Sequence, residues 1–199
     1  MALVNINIGI TDAKLAEVNA MLDGVKNGSQ QVISRAINKV GTAARTQIVR
    51  RIVQEVNLKA GEVRDRNVSL SKANYSRLEA MIRISGRRIP LLRWGARQTA
   101  KGVSYAIRRG AGRTTALGSF MQGRRGKDVV MPSGHRGVFA RTGKGRLPIA
   151  ELRGPSVPAV MEGIADLSAE VLDEQYAAKL ETEIDSQIGL VLARRGIGK

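Results

Sequence analysis

The longest apolar pattern in the chain lies in QQVISRAINKVGTAARTQIVRRIVQEV, residues 30–56. Its apolar residues recur at spacings of three and four, the period of one face of an α-helix. They are Ile33, Ile37, Val40, Ala44, Ile48 and Ile52, and Val49, Val53 and Val56 widen the stripe. Gly41 costs a helix about 1 kcal/mol relative to alanine, so we expect close packing there against a strand or a neighbouring subunit. The stretch predicts a long helix against which the rest of the fold packs.

Alternating apolar residues on both sides of this helix predict β-strands over residues 3–10, 78–85 and 102–109. The alternating residues are Val4, Ile6, Ile8 and Ile10, then Leu78, Ala80, Ile82 and Ile84, then Val103, Tyr105 and Ile107. A short helix over residues 13–22 is expected after the first strand, with Thr11 or Asp12 as its N-cap. Residues 59–61 are predicted to form a turn, and residues 63–70 show no clear preference.

A second helical ladder lies towards the C-terminus. Apolar residues four apart run through it, and they are Leu172, Tyr176, Leu180, Ile184, Ile188 and Leu192. The pattern as a whole predicts an α+β fold in which a small antiparallel sheet packs against long N- and C-terminal helices. We expect a single domain over residues 1–199. Residues 110–145, rich in glycine and arginine, are predicted to form a long basic loop or hairpin insertion with brief strands.

Positive charge is concentrated in the middle of the chain. The formal net charge is +16, and residues 83–153 alone carry 17 basic and 2 acidic side chains. Residues 154–199 carry 4 basic and 8 acidic side chains. With no cysteine, the chain offers no disulfide or thiolate metal site. The N-terminal residues do not resemble a signal peptide and no apolar run is long enough for a membrane span, so we expect a cytoplasmic protein without membrane contact.

The basic segment predicts binding to a polyanion or to an acidic protein surface, because crowded like charges destabilise a fold unless a partner neutralises them. Arginine outnumbers lysine there by fourteen to three, which favours planar, bidentate contacts with phosphate or carboxylate. Since aromatic residues are scarce, the expected nucleic-acid mode is backbone contact without sequence readout. The candidate binding residues are Arg87, Arg88, Arg93, Arg97, Arg108, Arg109, Arg113, Arg124, Arg125, Lys127, Arg136 and Arg141.

Residues 146–161 are predicted to form a proline-rich docking connector. Three of the five prolines lie here and restrict the backbone to extended conformations. A stiff segment loses little entropy on docking, which suits contact with a neighbouring subunit. An intramolecular strap over the sheet is the alternative. The candidate docking residues are Leu147, Pro148, Ile149, Gly154, Pro155, Ser156, Val157 and Pro158.

Catalytic chemistry has little support in the sequence. The single histidine, His135, has no second histidine or cysteine to work with, and a hydrogen-bonding role in a loop is favoured over general-base catalysis. The runs GAGR and GRRGK do not form a phosphate-binding loop motif. We therefore expect no enzyme activity, no metal site and no cofactor.

The stretch GHRGVFARTGKGRLPIAELRGPSVPAVM, residues 134–161, resembles the phage minor tail protein Z family. In that family an RLPI segment is followed by GPS and an apolar–proline pair, here residues 146–149 and 154–158. The resemblance is strongest over residues 75–161 and weak in the first 25 residues.

The resemblance implies a non-enzymatic structural protein at the head-proximal end of the tail of a long-tailed phage, a tail-completion or neck component. Family relatives imply a homo-oligomeric ring, with a hexamer favoured, around double-stranded phage DNA. The implied protein partners are the tail terminator, the head-closure protein and other neck or tail proteins. The implied location is the virion tail or neck, and the host cytoplasm during assembly.

A non-sequence-specific nucleic-acid-binding protein of ribosomal or nucleoid type is the alternative hypothesis. Size separates the two, because the first predicts a ring or incorporation into tails, and the second a monomer or dimer on nucleic acid.

Overall fold

The computed structural model describes residues 3–25, 27–121, 135–164, 167 and 169–194. These residues form an α+β fold of long helices and small antiparallel sheets, which confirms the predicted fold class. The strands are β1 (Leu3–Gly9), β2 (Val68–Ser71), β3 (Glu79–Ser85), β4 (Arg97–Thr99), β5 (Gly102–Tyr105), β6 (Thr114–Leu117), β7 (Phe120–Met121), β8 (Val138–Arg141) and β9 (Ile149–Glu151). The helices are α1 (Asp12–Met21), α2 (Gly28–Glu55), α3 (Ala60–Asn67), α4 (Val157–Met161) and α5 (Ala169–Arg194).

The central helix α2 packs on an antiparallel sheet of order β1-β3-β2. In this sheet Ile6 lies opposite Ile82 and Ile8 opposite Ala80, and all four side chains are buried. Gly41 allows the helix to approach the sheet closely, because a Cβ at this position would lie 3.3 Å from Leu70 Cδ1. Of the two contacts expected for Gly41, the structure therefore shows the one with a strand.

Helix α5 closes the core by packing against α2 and β1. Leu172, Tyr176, Leu180, Ile184 and Ile188 are buried, as the ladder predicted, while Leu192 is only half-buried. Burial raises the pKa of Tyr176, whose hydroxyl donates to Gln47 Oε1 at 3.2 Å.

The second half of the chain forms two further three-stranded sheets, β4-β5-β6 and β7-β8-β9. Trp94, in a turn after the 3-10 segment Leu91–Arg93, is fully buried and joins these sheets to the core. Its indole Nε1 donates to Ile89 O at 3.3 Å. Trp94 is therefore a core residue.

Several local predictions need correction. Residues 59–61 were predicted as a turn. Instead Lys59 is the N-cap of α3, Ala60 and Gly61 are its first residues, and β2 follows α3 without a break. The strand predicted over residues 102–109 ends at Tyr105, and Arg108 instead forms an isolated bridge with Val56. Within the predicted insertion over residues 110–145, the described parts contain β6, β7 and β8, and the remainder lies outside the described residues. None of the described helices has the length and apolar character needed to cross a bilayer.

Candidate functional site: an arginine-lined cleft

A cleft of about 890 Å³ lies between α3, the segment after β3 and the segment after β9. We call it the arginine cleft, because six arginines line it among the residues that the structure describes. They are Arg66, Arg87, Arg88, Arg93, Arg136 and Arg153. Arg87, Arg88, Arg93 and Arg136 were candidates from the sequence. The fold brings them together although Arg136 lies more than forty positions after the other three.

Backbone pairing holds the two walls of the cleft together. Residues 89–91 pair with residues 152–155 through Gly154 N–Ile89 O at 2.8 Å and Leu91 N–Leu152 O at 3.0 Å. Pro90 and Arg153 form an isolated antiparallel bridge. On the third side, Gly86 passes so close to the Asn67 side chain that an added Cβ would clash with it. Arg87 and Arg88 lie directly before this paired segment, and Arg153 lies within it.

Two carboxylates fix some of the arginines. Glu62 Oε1 accepts from Arg93 at 2.7 Å, and Arg66 lies 3.9 Å from its other oxygen. Glu151 binds Arg153 at 2.9 Å, and His135 Nε2 lies 2.9 Å from its second oxygen. This confirms a hydrogen-bonding role for His135. Arg93 and Arg66 thus lie beside Glu62 and Arg153 beside Glu151, whereas Arg87 and Arg88 have no carboxylate partner among the described residues.

Arg87 and Arg88 differ from their neighbours. Both side chains are exposed in the cleft, and within the described part of the chain neither forms a hydrogen bond or an ion pair. An exposed guanidinium presents a planar set of donors that matches a carboxylate or a phosphate. The apolar side chains of Ile89, Leu92 and Met121 line the same cleft. The cleft is therefore suited to a partner that carries both negative charge and apolar groups.

The other predicted binding arginines lie elsewhere, and several are held by their own chain. Arg113 donates to Gly95 O at 2.7 Å and to Ser104 O at 2.8 Å, while Arg109 Nε donates to Val56 O at 3.0 Å. Arg141 lies over the Phe120 ring at 5.3 Å from its centroid. Arg97 is exposed on β4, and Arg108 is exposed beside Val56. Arg124, Arg125 and Lys127 lie outside the described residues.

Sequence reasoning missed Arg66 and Arg153 as members of the cleft. Arg66 lies one helical turn after Glu62 on α3, and this i, i+4 pair was the available signal. Arg153 directly precedes the glycine of the GPS motif.

The proline-rich connector has extensive contacts within its own chain. Ile149 lies in β9, and Pro155 O accepts from Ile89 N at 3.3 Å. Ser156 caps α4, in which Val157 and Pro158 are buried. Gly154 lies against Trp94, and an added Cβ would be 2.6 Å from Trp94 Nε1. These are the contacts expected of the strap alternative.

Leu147 and Pro148 form the exposed end of the connector, and the Leu147 side chain is 71% exposed. Docking of the connector on a neighbouring subunit stays a prediction.

The described residues form an α+β fold with a cationic cleft, and among them no group of three or more potential metal ligands comes together. The sequence matches the family described as prophage minor tail protein Z (GPZ) over residues 15–194. The chain belongs to this family. It is therefore a structural protein of a phage tail, located in the tail of the virion, where its partners are other tail or neck proteins. No curated protein and no solved structure matches the chain.

Proposed function

We propose that this protein completes the tail at its head-proximal end and helps to join the tail to a DNA-filled head. Its copies form a ring around the DNA path, with sixfold symmetry favoured. The ring contacts the tail terminator, the head-closure protein and other neck or tail proteins. This role is non-enzymatic and uses no cofactor. Membership of the tail protein family and the concentration of positive charge in residues 83–153 support it.

The amount of charge limits how much of it can contact DNA. Residues 83–153 carry a net charge of +15, so a ring of six copies would bring about ninety excess charges to a channel where a 40 Å length of duplex presents only about 24 phosphates. A minority of the arginines therefore contacts the duplex. The remainder is neutralised by acidic protein surfaces in the same assembly.

The observation that carries this proposal is the pair Arg87 and Arg88. Their exposed guanidinium groups line an open cleft, and no group in the described part of the chain neutralises them. Uncompensated cations weaken a fold, so their placement favours a partner that supplies the missing anions.

Joining of tails to heads tests the proposal. Tails assembled without this protein should reach normal length but fail to join filled heads, and purified protein added back should restore joining. The variant R87E/R88E should fail to restore it. The control variant R35E/R50E changes the net charge equally at exposed α2 positions and should restore it.

Two results would overturn the proposal. The first is that tails lacking the protein join heads at the normal rate. The second is that the protein is absent from purified tails and sediments with host nucleic acid, as the nucleic-acid-binding alternative expects.

A further inference from the structure

A line of acidic side chains runs along the outer face of α5. Glu174, Glu181 and Asp185 are exposed and lie at positions i, i+7 and i+11, which places them within about 40° of one another around a helix of 3.6 residues per turn. We call these three residues the acidic stripe. Buried residues of the same helix, such as Leu180 and Ile184, face α2 and β1 instead.

The stripe has few partners within its own chain. Asp185 binds Lys14 at 3.1 Å, and the hydrogen bonds from Lys14 to Glu17 and Asp185 raise the pKa of that lysine. Among the described residues, Glu174 and Glu181 form no ion pair. Among the described residues, Glu174 and Glu181 on α5 therefore lack a paired cation, as Arg87 and Arg88 in the arginine cleft lack a paired anion.

We propose that the acidic stripe of one copy docks into the arginine cleft of the next copy. Arg87 and Arg88 in the cleft and Glu174 and Glu181 on the stripe are exposed charges of opposite sign without an ion-pair partner among the described residues, so the two surfaces complement each other. Glu174 and Glu181 are two helical turns apart, about 10 Å, so both carboxylates are presented on one short length of helix. The carbon-rich surface of a helix also fits the apolar side chains of the cleft better than a bare sugar–phosphate backbone does.

The contact pairs two different surfaces, so it is head-to-tail. The stripe lies on α5, which packs against α2 and β1, whereas α3 and the segments after β3 and β9 form the cleft. A heterologous contact of this kind generates a closed ring when the rotation between copies closes. The inference rests on the proposed ring and identifies the two faces through which its subunits meet.

The absence of cysteine makes a direct test possible. One chain carries Arg88→Cys in the cleft and a second carries Glu181→Cys on the stripe, and a short bismaleimide is added to the mixture. We expect a cross-linked dimer that contains one chain of each kind, and little product from either chain alone. The matched control mixes R88C with R35C, since Arg35 is an exposed arginine of α2 outside the cleft.

Charge reversal gives an independent readout by sedimentation. R87E/R88E and E174R/E181R should each weaken self-association by about a hundredfold, because each leaves like charges facing one another. Mixing the two variants should restore association, since each then meets a complementary surface. Raising the salt concentration should weaken the wild-type contact.

The inference is overturned if R88C and E181C cross-link no faster than the control pair, whether the chain is monomeric or associates through another face. It is also overturned if duplex DNA, rather than a second copy, protects R88C from labelling. If cross-linking fails but tails still need the protein to join heads, the proposed function stands and this interface does not. If cross-linking succeeds but tails join heads without the protein, this interface stands and the proposed function does not.

Discussion

Individual arginines of this protein have two different roles. The Arg113 guanidinium group binds the carbonyl oxygens of Gly95 and Ser104 and also the Ser104 hydroxyl, so it joins the segment after Trp94 to β5. Arg88 lies in the cleft without such contacts within the described residues. One arginine stabilises the fold, and the other is available to a partner.

This difference predicts opposite effects of truncation. Arg113→Ala should lower the free energy of unfolding by about 1–3 kcal/mol, because it leaves backbone carbonyls without a charged donor. Arg88→Ala should change it by less than about 0.5 kcal/mol, as is usual for an exposed side chain without such a role. Denaturant titration followed by the fluorescence of the single tryptophan measures both. Equal losses in the two variants would contradict the division into two roles.

For single residues, the sequence predicts that arginine is abundant but not which arginines stabilise the fold and which are available to a partner. It identifies a surplus of arginine between residues 83 and 153. It does not separate Arg113 from Arg88, because the carbonyls that bind Arg113 come from Gly95, 18 residues away, and from the neighbouring strand β5. It also does not identify Arg66, which reaches the cleft only because α3 packs beside the segment after β3.

At the scale of elements, apolar periodicity predicted α2, α5, β1 and β3, since each buries one regular face. Helix α3 gave no clear signal because it is eight residues long, contains Gly61 and buries only Val63 and Asn67. The pairing of residues 89–91 with residues 152–155 was also beyond sequence reasoning, because it joins segments more than sixty positions apart.

The close contact between the connector and the core predicts a loss of stability in Gly154→Ala. The new methyl group would meet the Trp94 indole at 2.6 Å, and overpacking a buried site costs about 1–3 kcal/mol. Tryptophan fluorescence and the free energy of unfolding should both change. Gly112→Ala, where the added carbon meets nothing within 4 Å, should change neither. A normal unfolding free energy with impaired ring assembly would instead support docking of the connector on a neighbour.

Lys39 of α2 and Glu183 of α5 form an ion pair at 2.7 Å, and this pair predicts that the stability of the fold depends on pH. Partial burial alone would raise the pKa of Glu183, but hydrogen bonds from Lys39 and Gln187 lower it below its ordinary value near 4.5. Because the folded-state pKa is depressed, the stabilisation is present above the unfolded value and is lost as the pH falls through the folded value.

Glu183→Gln should therefore be less stable than wild type at pH 7, by no more than about 1 kcal/mol. The difference should shrink towards zero as the pH falls through the depressed folded-state pKa of Glu183, because the wild-type carboxylate is then neutral as well. Thermal unfolding across this range measures it, with the exposed Glu181→Gln as the control. A difference independent of pH would show that the charge of Glu183 does not stabilise the fold.

At the scale of the whole molecule, the two ends of the charge distribution lie on different elements. The basic excess of residues 83–153 includes most of the cleft, and the acidic excess of residues 154–199 includes the outer face of α5. The proposed head-to-tail contact pairs the acidic excess with part of the basic excess, and the larger remainder of the basic charge is left to other anionic partners. The family membership places this chain in a phage tail, where such an assembly would be built.

A cryo-EM reconstruction of the head–tail junction in intact virions tests the central claim most directly. We expect a ring of this protein at the head-proximal end of the tail, around the DNA, with Arg87 and Arg88 in contact with acidic protein surfaces. Density for the protein at the tail tip alone, or a junction that does not contain it, would contradict the proposed role in joining tails to heads.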